Sequence, residues 1–217
     1  MRLFSLVFYR FAQKDLVLVL VALPVFESGL GLVLFDTAYF VWIVSELFGA
    51  VLVPRLRRRG ATRVKRDRGS GALIIFTVFV SIILALSLGY AGVGPLPDWV
   101  FYPGIFLMLL GVVVRQWAIA VLGRFFSLTV RVAEDHRVVV KGPYRLVRHP
   151  SYTGVLITFI GLALAVQSSG TLLVLLAVFG VSYGYRMRVE ERVLLSALGQ
   201  DYAEYMKRTK RLIPSLI

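Results

Sequence analysis

Residues 71–90 read GALIIFTVFVSIILALSLGY, a run of consecutive positions without one charged side chain. As an α-helix this stretch would be about 30 Å long, which equals the thickness of the hydrocarbon core of a bilayer. Three further apolar runs are long enough, or nearly so, to cross this core, namely Leu16–Phe35, Thr37–Val53 and Trp99–Leu122. The sequence therefore predicts an all-α, polytopic bundle of membrane helices.

Two shorter apolar runs follow, Thr153–Val166 and Thr171–Tyr185. Residues 167–170 between them read QSSG, a composition that is typical of a tight turn. Each run alone is only about 21–23 Å long as a helix, so we expect the two to form a paired hairpin. The second arm is predicted to continue into the polar helix after Tyr185. The expected total is five to six transmembrane helices.

The overall composition excludes several other classes of protein. Hydrophobic residues make up 58% of the 217 positions, more than one soluble core of this size buries. The net charge of +13 would suit a nucleic-acid binder, but the basic residues lie between apolar runs rather than over a soluble domain, so no nucleic-acid partner is expected. There is no Cys and there are only two His, so neither a disulfide framework nor a zinc site is expected.

The basic residues predict the orientation of the chain in the membrane. Of the 25 Lys and Arg residues, all except Arg115 lie on one predicted side of the membrane, the side of the N-terminus and of Arg55–Arg68. The loops on the other side, around Asp36, at Ala91–Asp98 and at Gln167–Gly170, contain none. The positive-inside rule places the basic side in the cytoplasm. Arg55–Arg68 is a topology anchor in the simplest interpretation, and contact with anionic lipid head groups is the alternative.

Three charged residues, Glu27, Glu46 and Arg115, fall within predicted spans. A charge at membrane depth is costly, and such residues face a cavity or pair with one another. For the two acids we favour a structural ion pair or the protonated form. Arg115 lies about two turns from the cytoplasmic end of its span, and three interpretations stay open. It extends to the interface, it lines a polar pocket, or it pairs with Glu46.

The polar segment at 141–154 reads KGPYRLVRHPSYTG. Gly-Pro starts a turn, and Pro150 keeps His149 out of helical geometry. Because a helical hairpin returns the chain to the side it left, Glu190-Glu191 should meet the His149 loop at the membrane surface. The simpler alternatives are an interfacial helix cap and a solvated helix face with ordinary charge pairs.

An ordered set of motifs resembles the isoprenylcysteine carboxyl methyltransferase family of membrane enzymes. The resemblance runs from about Gly104 to Pro214, whereas residues 1–100 match only as generic membrane helices. The motifs are Arg115-Gln116-Trp117-Ala118 with Leu122-Gly123 and Phe126, then His136, Val139-Val140-Lys141-Gly142-Pro143-Tyr144, Arg148-His149-Pro150-Ser151-Tyr152-Thr153-Gly154, and Glu190-Glu191 with Leu194, Gly199, Tyr202, Tyr205 and Pro214.

This resemblance implies methyl transfer from S-adenosylmethionine to a lipophilic acceptor, without a metal. It also implies two parts, N-terminal transmembrane helices at 1–98 and a methyltransferase core at 99–217. The cofactor-binding candidates are His136, Val140, Gly142, Tyr144, Arg148, His149, Tyr152 and Glu190. Arg115 and Glu191 are the catalytic candidates, and Phe125 and Phe126 are expected to line the acceptor entrance. Membrane lipids are expected partners, and the oligomeric state stays open.

The acceptor also has more than one interpretation. An isoprenylcysteine-like carboxylate is already ionised at neutral pH and needs no base, and Arg115 would hold it. A phospholipid amine or a small thiol or amine is the alternative, and because an amine must lose a proton, Glu191 would then be the candidate base. A non-catalytic membrane protein of the same fold, such as a carrier or assembly factor, is the second alternative.

Overall fold

The computed structural model describes residues 25–27, 29–49, 62–65, 67, 69–127, 129–133 and 135–214. The first part of the run Leu16–Phe35 and most of the basic cluster Arg55–Arg68 lie outside these residues. Six α-helices form most of the described structure. They are α1 Gly29–Leu47, α2 Ser70–Tyr90, α3 Phe101–Leu122, α4 Pro150–Ala165, α5 Ser169–Leu198 and α6 Gln200–Arg208.

The helices agree with the predicted class of membrane bundle. Within the described ranges, four helical segments are long and apolar enough to cross a bilayer, and these contain α1, α2, α3 and α5. Helix α4 is shorter, at 16 residues or about 24 Å. Helix α5 runs through 30 residues without a break, which confirms that the second arm continues past Tyr185 into the polar segment.

One predicted boundary is wrong. We expected a loop around Asp36, but Asp36 lies in the middle of α1. No Gly or Pro adjoins this residue, and Phe35 beside it packs into the core, so nothing breaks the helix there. The chain turns earlier, through a 3₁₀ turn at Val25–Glu27 and a left-handed backbone at Gly29. Glu27 therefore precedes the span instead of lying inside it.

Helices α3 and α4 approach each other more closely than any ordinary side chains would allow. A Cβ atom at Gly104 of α3 would lie 2.4 Å from the backbone nitrogen of Ala165. One at Gly154 of α4 would lie 2.7 Å from the backbone nitrogen of Arg115. Small residues at the crossing of membrane helices permit this kind of close packing. The contact fixes the start of α4 beside the C-terminal half of α3.

A column of aromatic rings connects α1, α4 and α5. Trp42 of α1 meets Phe159 of α4 at 6.3 Å between ring centroids, and Phe159 meets Phe179 of α5 at 6.4 Å. Phe179 stacks on Tyr183 at 4.6 Å, and Tyr183 touches the ring of Tyr152 at 5.2 Å. The apolar core thus leads directly to the first turn of α4.

At the other end of the bundle, Gln167 joins the connection between α4 and α5 to the segments before α1 and before α3. Its side chain accepts a hydrogen bond from the backbone N–H of Val25 at 2.9 Å and donates one to Asp98 at 2.8 Å. The predicted turn at Gln167–Gly170 starts one residue too late and ends two residues too late, because α4 ends at Ala165 and α5 begins at Ser169. Ser168 caps α5 by accepting from the N–H of Thr171 at 3.0 Å.

A small antiparallel ribbon departs from the all-α prediction. Strand β1, Thr62–Lys65, pairs with β2, Arg131–Ala133, so that Lys65 lies opposite Arg131. The strands are too short to show an alternating pattern in the sequence, and α2 and α3 separate them along the chain. The ribbon brings Asp67, just before α2, next to Val130.

Candidate functional site

One pocket lies at the end of the bundle where α4 begins. It is next to the C-terminal end of α3 and against the second half of α5. Its lining surrounds about 860 Å³ of space between protein atoms, a figure that includes open solvent at the surface. Its walls come from the loops after α3, the turn before α4, α5 and α6. The lining residues used below are Leu122, Phe125, Phe126, Val130, Arg131, His136, Arg137, Tyr144, Arg148, His149, Ser151, Tyr152, Arg186, Glu190, Leu194, Leu198, Tyr202 and Tyr205.

The turn that contains His149 is held by the C-terminal segment. The backbone N–H groups of Arg148 and His149 donate to the carbonyls of Lys210 and Arg211, at 2.7 and 3.0 Å. Tyr205 of α6 donates its hydroxyl to the carbonyl of Tyr144 at 2.8 Å. Because both ends of the turn are fixed in this way, the side chains of residues 144–152 have a defined position along one wall of the pocket.

Glu191 is at the centre of a buried ionic cluster. Its carboxylate accepts from Arg148 at 2.9 Å and from Arg211 at 2.7 Å, and it contacts His149 Nε2 at 3.2 Å. The residue is 5% exposed and does not line the pocket. The prediction that Glu191 is a catalytic base therefore does not agree with its position, since three cationic or donor groups already use the carboxylate. It positions Arg148 and His149 instead.

Glu190, the neighbour of Glu191, does line the pocket. The hydroxyl of Tyr152 donates to Glu190 Oε2 at 2.7 Å, and the Tyr152 ring stacks on His149 with 5.3 Å between centroids and an angle of 11°. The Glu190 side chain keeps 26% of its surface exposed. The pocket therefore combines an accessible carboxylate with a stacked pair of aromatic rings.

Arg186 is a pocket residue that the motifs did not include. Its Nε donates to the hydroxyl of Tyr152 at 3.1 Å, and the residue is 3% exposed. The sequence does contain a signal for it, since Arg186, Glu190, Leu194 and Leu198 follow one another at intervals of four and so share a face of α5. All four residues line the pocket.

Arg115 lies below the pocket and does not line it. Its Nε and one terminal nitrogen approach the two carboxylate oxygens of Glu46 at 2.6 and 2.7 Å, and the other terminal nitrogen donates to Ser151 at 2.9 Å. Of the three interpretations left open by the sequence, the ion pair with Glu46 is the one found. The expected role in holding an acceptor is not supported by this position, because both terminal nitrogens already donate hydrogen bonds, to Glu46 and to Ser151.

Phe125 and Phe126 both line the pocket, and aromatic and charged side chains surround Phe125. Phe125 contacts the ring of His136 at 4.5 Å between centroids. Arg124 lies 4.9 Å above Phe125 and forms an ion pair with Asp135. Burial is the largest influence on His136 and lowers the pKa of its imidazole, so this side chain is neutral at pH 7.

Two predicted cofactor residues do not reach the pocket. Val140 is 53% exposed, and Gly142 serves the backbone, because its positive φ of 54° allows the turn before Tyr144. Arg131 and Arg137 do line the pocket, although the sequence predicted neither. They lie on either side of the predicted His136. Among the described residues, no group of three or more His, Asp and Glu side chains could hold a metal ion.

The fold and the pocket define a helical integral membrane protein with a polar ligand site at one end of its bundle. Residues 104–196 match the sequence model of the isoprenylcysteine carboxyl methyltransferase (ICMT) family, which confirms the resemblance over this part of the chain.

Individual proteins agree with this assignment. The chain is 30% identical over 118 residues to protein-S-isoprenylcysteine O-methyltransferase B of Arabidopsis thaliana, covering 54% of this chain and 60% of that protein. It is 34% identical over 100 residues to the cobalt-zinc-cadmium resistance protein CzcN of Cupriavidus metallidurans, 46% of each protein. The chain thus spans from about half to three fifths of the length of these relatives.

A solved structure has the same fold. The eukaryotic intramembrane Ras methyltransferase ICMT superposes with a TM-score of 0.61 over 91% of this chain and 70% of that chain. The sequence identity is 21%, so the likeness concerns the arrangement of helices. It extends beyond the segment that matches the family and includes N-terminal helices.

Proposed function

We propose that this protein is an integral membrane methyltransferase that uses S-adenosylmethionine to methylate the carboxylate of an isoprenylcysteine-like or other lipophilic acceptor. The observation that carries the proposal is the single pocket around Tyr144, His149, Tyr152 and Glu190. All four residues belong to the family-matching segment, and the fold brings Glu190 of α5 against Tyr144, His149 and Tyr152, which lie close together in the sequence around the start of α4.

The residues present suit S-adenosylmethionine. The accessible Glu190 carboxylate matches the ammonium group of the methionine part, and Arg137 at the pocket wall offers a cation for its carboxylate. The aromatic side chains of Tyr144, His149 and Tyr202 provide flat surfaces for the adenine ring. When bound, S-adenosylmethionine supplies an electrophilic methyl group on a sulfonium.

The chain itself contributes alignment and a dry environment. Leu122, Phe126, Leu194 and Leu198 line the apolar part of the pocket and exclude water from it. A carboxylate that attacks a sulfonium loses its charge as the new O–C bond forms and the S–C bond breaks, so a low-polarity site favours the reaction. Holding the two reactants in line then supplies much of the acceleration.

The position of Glu191 supports a carboxylate as the methyl acceptor rather than an amine. An amine must lose a proton, and Glu191 was the candidate base for that step. Since Arg148, Arg211 and His149 hold this carboxylate outside the pocket, its use as a base is not supported. A carboxylate acceptor needs no such group.

The remaining parts of the proposal concern placement. We propose that residues 99–217 form the methyltransferase core, while the N-terminal helices complete the bundle. The basic segments lie on the same side as the pocket, which supports a site that faces the cytoplasm. The aromatic side chains of Phe125 and Phe126 lie next to the end of a membrane span and form the proposed entrance for the lipid tail.

The test combines binding with product analysis. Purified protein in lipid nanodiscs is titrated with S-adenosylhomocysteine and then incubated with radiolabelled S-adenosylmethionine and either a farnesylcysteine analogue or a phospholipid amine. We expect binding, and transfer to farnesylcysteine as a base-labile methyl ester. Base-stable label on the amine would show that the acceptor is an amine and not a carboxylate. A folded protein without binding or transfer would refute the proposed function.

A further inference from the structure

Asp67 lies outside the family-matching segment, yet hydrogen bonds connect it to the pocket. Its Oδ1 accepts from Arg186 at 2.7 Å and from the backbone N–H of Val130 at 2.8 Å. Ser70 donates to the same oxygen at 3.0 Å, and the N–H of Gly71 donates to Oδ2, also at 3.0 Å. Asp67 therefore joins the start of α2, the β-ribbon and α5 at one carboxylate.

The charge of Asp67 is well supported in this position. Burial favours the neutral acid, but the hydrogen bonds from Val130, Gly71 and Ser70 and the charge of Arg186 outweigh it and lower the pKa of Asp67. At neutral pH the residue is a carboxylate, and its side chain is only 14% exposed. It is therefore a strong partner for the buried guanidinium of Arg186.

Arg186 lies between two carboxylates. One terminal nitrogen reaches Asp67 at 2.7 Å, whereas Nε is 3.9 Å from Glu190 Oε2. The hydroxyl of Tyr152 occupies the gap, accepting from Arg186 and donating to Glu190. Arg186 thus donates a short, direct hydrogen bond to Asp67, whereas its ion pair with Glu190 is long, at 3.9 Å, and is bridged by the neutral phenol of Tyr152.

We propose that Asp67 is a positioning residue that holds Arg186 away from Glu190, so that the Glu190 carboxylate stays available to the cationic group of the ligand. Without the Asp67 charge, Arg186 would be attracted to its remaining carboxylate partner and would form a direct ion pair with it. A ligand ammonium would then compete with a guanidinium for Glu190. The identity of the ligand rests on the proposed function, but the competition for Arg186 does not.

The change Asp67→Asn tests this competition at nearly constant side-chain volume. The single amide oxygen of Asn can stay in the place of Oδ1 and accept from Arg186, Val130 and Ser70, whereas its NH2 group replaces Oδ2 and gives up the hydrogen bond from Gly71, and the charge is removed. We expect S-adenosylhomocysteine to bind about ten-fold more weakly to Asp67→Asn, as the loss of one charge-assisted contact predicts. Asp201→Asn, an exposed position on α6, is the matched control and should leave the affinity unchanged.

A double-mutant cycle separates positioning from general loosening of the fold. In the Glu190→Gln background there is no carboxylate to compete for, so Asp67→Asn should weaken binding no further. In the ligand-free protein, Glu190→Gln should lower the Tm more in the Asp67→Asn background than in the wild type, because Glu190 has become the partner of Arg186.

The possible results are distinct. Unchanged affinity in Asp67→Asn, or equal losses in both backgrounds, would overturn the role of Asp67. Additive changes in Tm would do the same without any ligand. If the folded wild-type protein does not bind S-adenosylhomocysteine at all, the proposed function fails, and the ligand-free cycle still decides whether Asp67 controls Arg186.

Discussion

Glu190 and Glu191 are adjacent in sequence but face different surroundings, because successive residues of a helix point about 100° apart. Glu190 faces the pocket and keeps part of its surface accessible, whereas Glu191 is enclosed by Arg148, His149 and Arg211. Glu190 is therefore placed to bind a ligand, whereas Glu191 holds the side chains of Arg148 and His149, which line the pocket.

Removing the charge of Glu190 should affect binding and leave the fold intact. We expect Glu190→Gln to weaken S-adenosylhomocysteine binding by about ten- to a hundred-fold, since one charge-assisted contact is worth about 1.5–3 kcal/mol. Calorimetry on the purified protein measures the change. Glu204→Gln on the exposed side of α6 is the control, and equal affinity in both variants would show that the ligand does not use Glu190.

Arg115 should prove to be a structural residue. Arg115→Met and Glu46→Gln each leave one buried charge unpaired, which costs about 3–5 kcal/mol, and the double change should recover part of the lost Tm. The catalytic alternative predicts a different result. If Arg115 instead orients the acceptor, Arg115→Lys will abolish methyl transfer at saturating cofactor while the Tm stays near the wild-type value.

The sequence predicted the residues of the site better than their individual roles. The ordered motifs included His149, Tyr152 and Glu190, and all three line the pocket. The motifs could not distinguish Glu190 from Glu191, since that difference depends on the rotation of α5 and on Arg211 in the C-terminal segment. Asp67 has no local signal at all, because its partner Arg186 is far away in sequence.

At the scale of elements, the crossing of α3 and α4 is the contact most sensitive to size. Gly154→Ala would place a methyl group 2.7 Å from backbone atoms of Gly111 and Arg115, so the helices would have to separate. We expect a loss of about 1–3 kcal/mol, measured by thermal unfolding in detergent. Gly180→Ala is the matched control, because a Cβ there meets nothing within 4 Å. Equal Tm values for the two variants would contradict tight packing at this crossing.

The helices were predictable because apolar runs of membrane length are unambiguous, but their ends were not. Asp36 was mistaken for a loop because a charge interrupts the apolar run, although one half-exposed acid does not break a helix. The β-ribbon was missed since its strands have only four and three residues and pair far along the chain. Both errors concern features that depend on tertiary contacts.

For the whole molecule, the orientation in the membrane is the main open prediction. The chain has no Cys, so single-cysteine variants report accessibility without background. In intact cells, a membrane-impermeant maleimide should label Ala91→Cys, in the loop after α2, but should label Lys207→Cys on α6 only after lysis. The expectation follows from the basic residues on the pocket side. Labelling of Lys207→Cys in intact cells would reverse the orientation.

The unbroken length of α5 links the lipids to the pocket. Its 30 residues extend about 45 Å, whereas a bilayer core is about 30 Å thick, so the same rigid rod that crosses the membrane also carries Arg186 and Glu190. A thinner or thicker bilayer changes the tilt of such a helix. We therefore expect the methyl-transfer rate in vesicles to pass through a maximum as acyl chains lengthen from 14 to 22 carbons, about the range that brackets natural thickness. A rate that is constant across the series would show that the pocket is insulated from the bilayer, whereas a maximum would make membrane thickness a regulator of this protein.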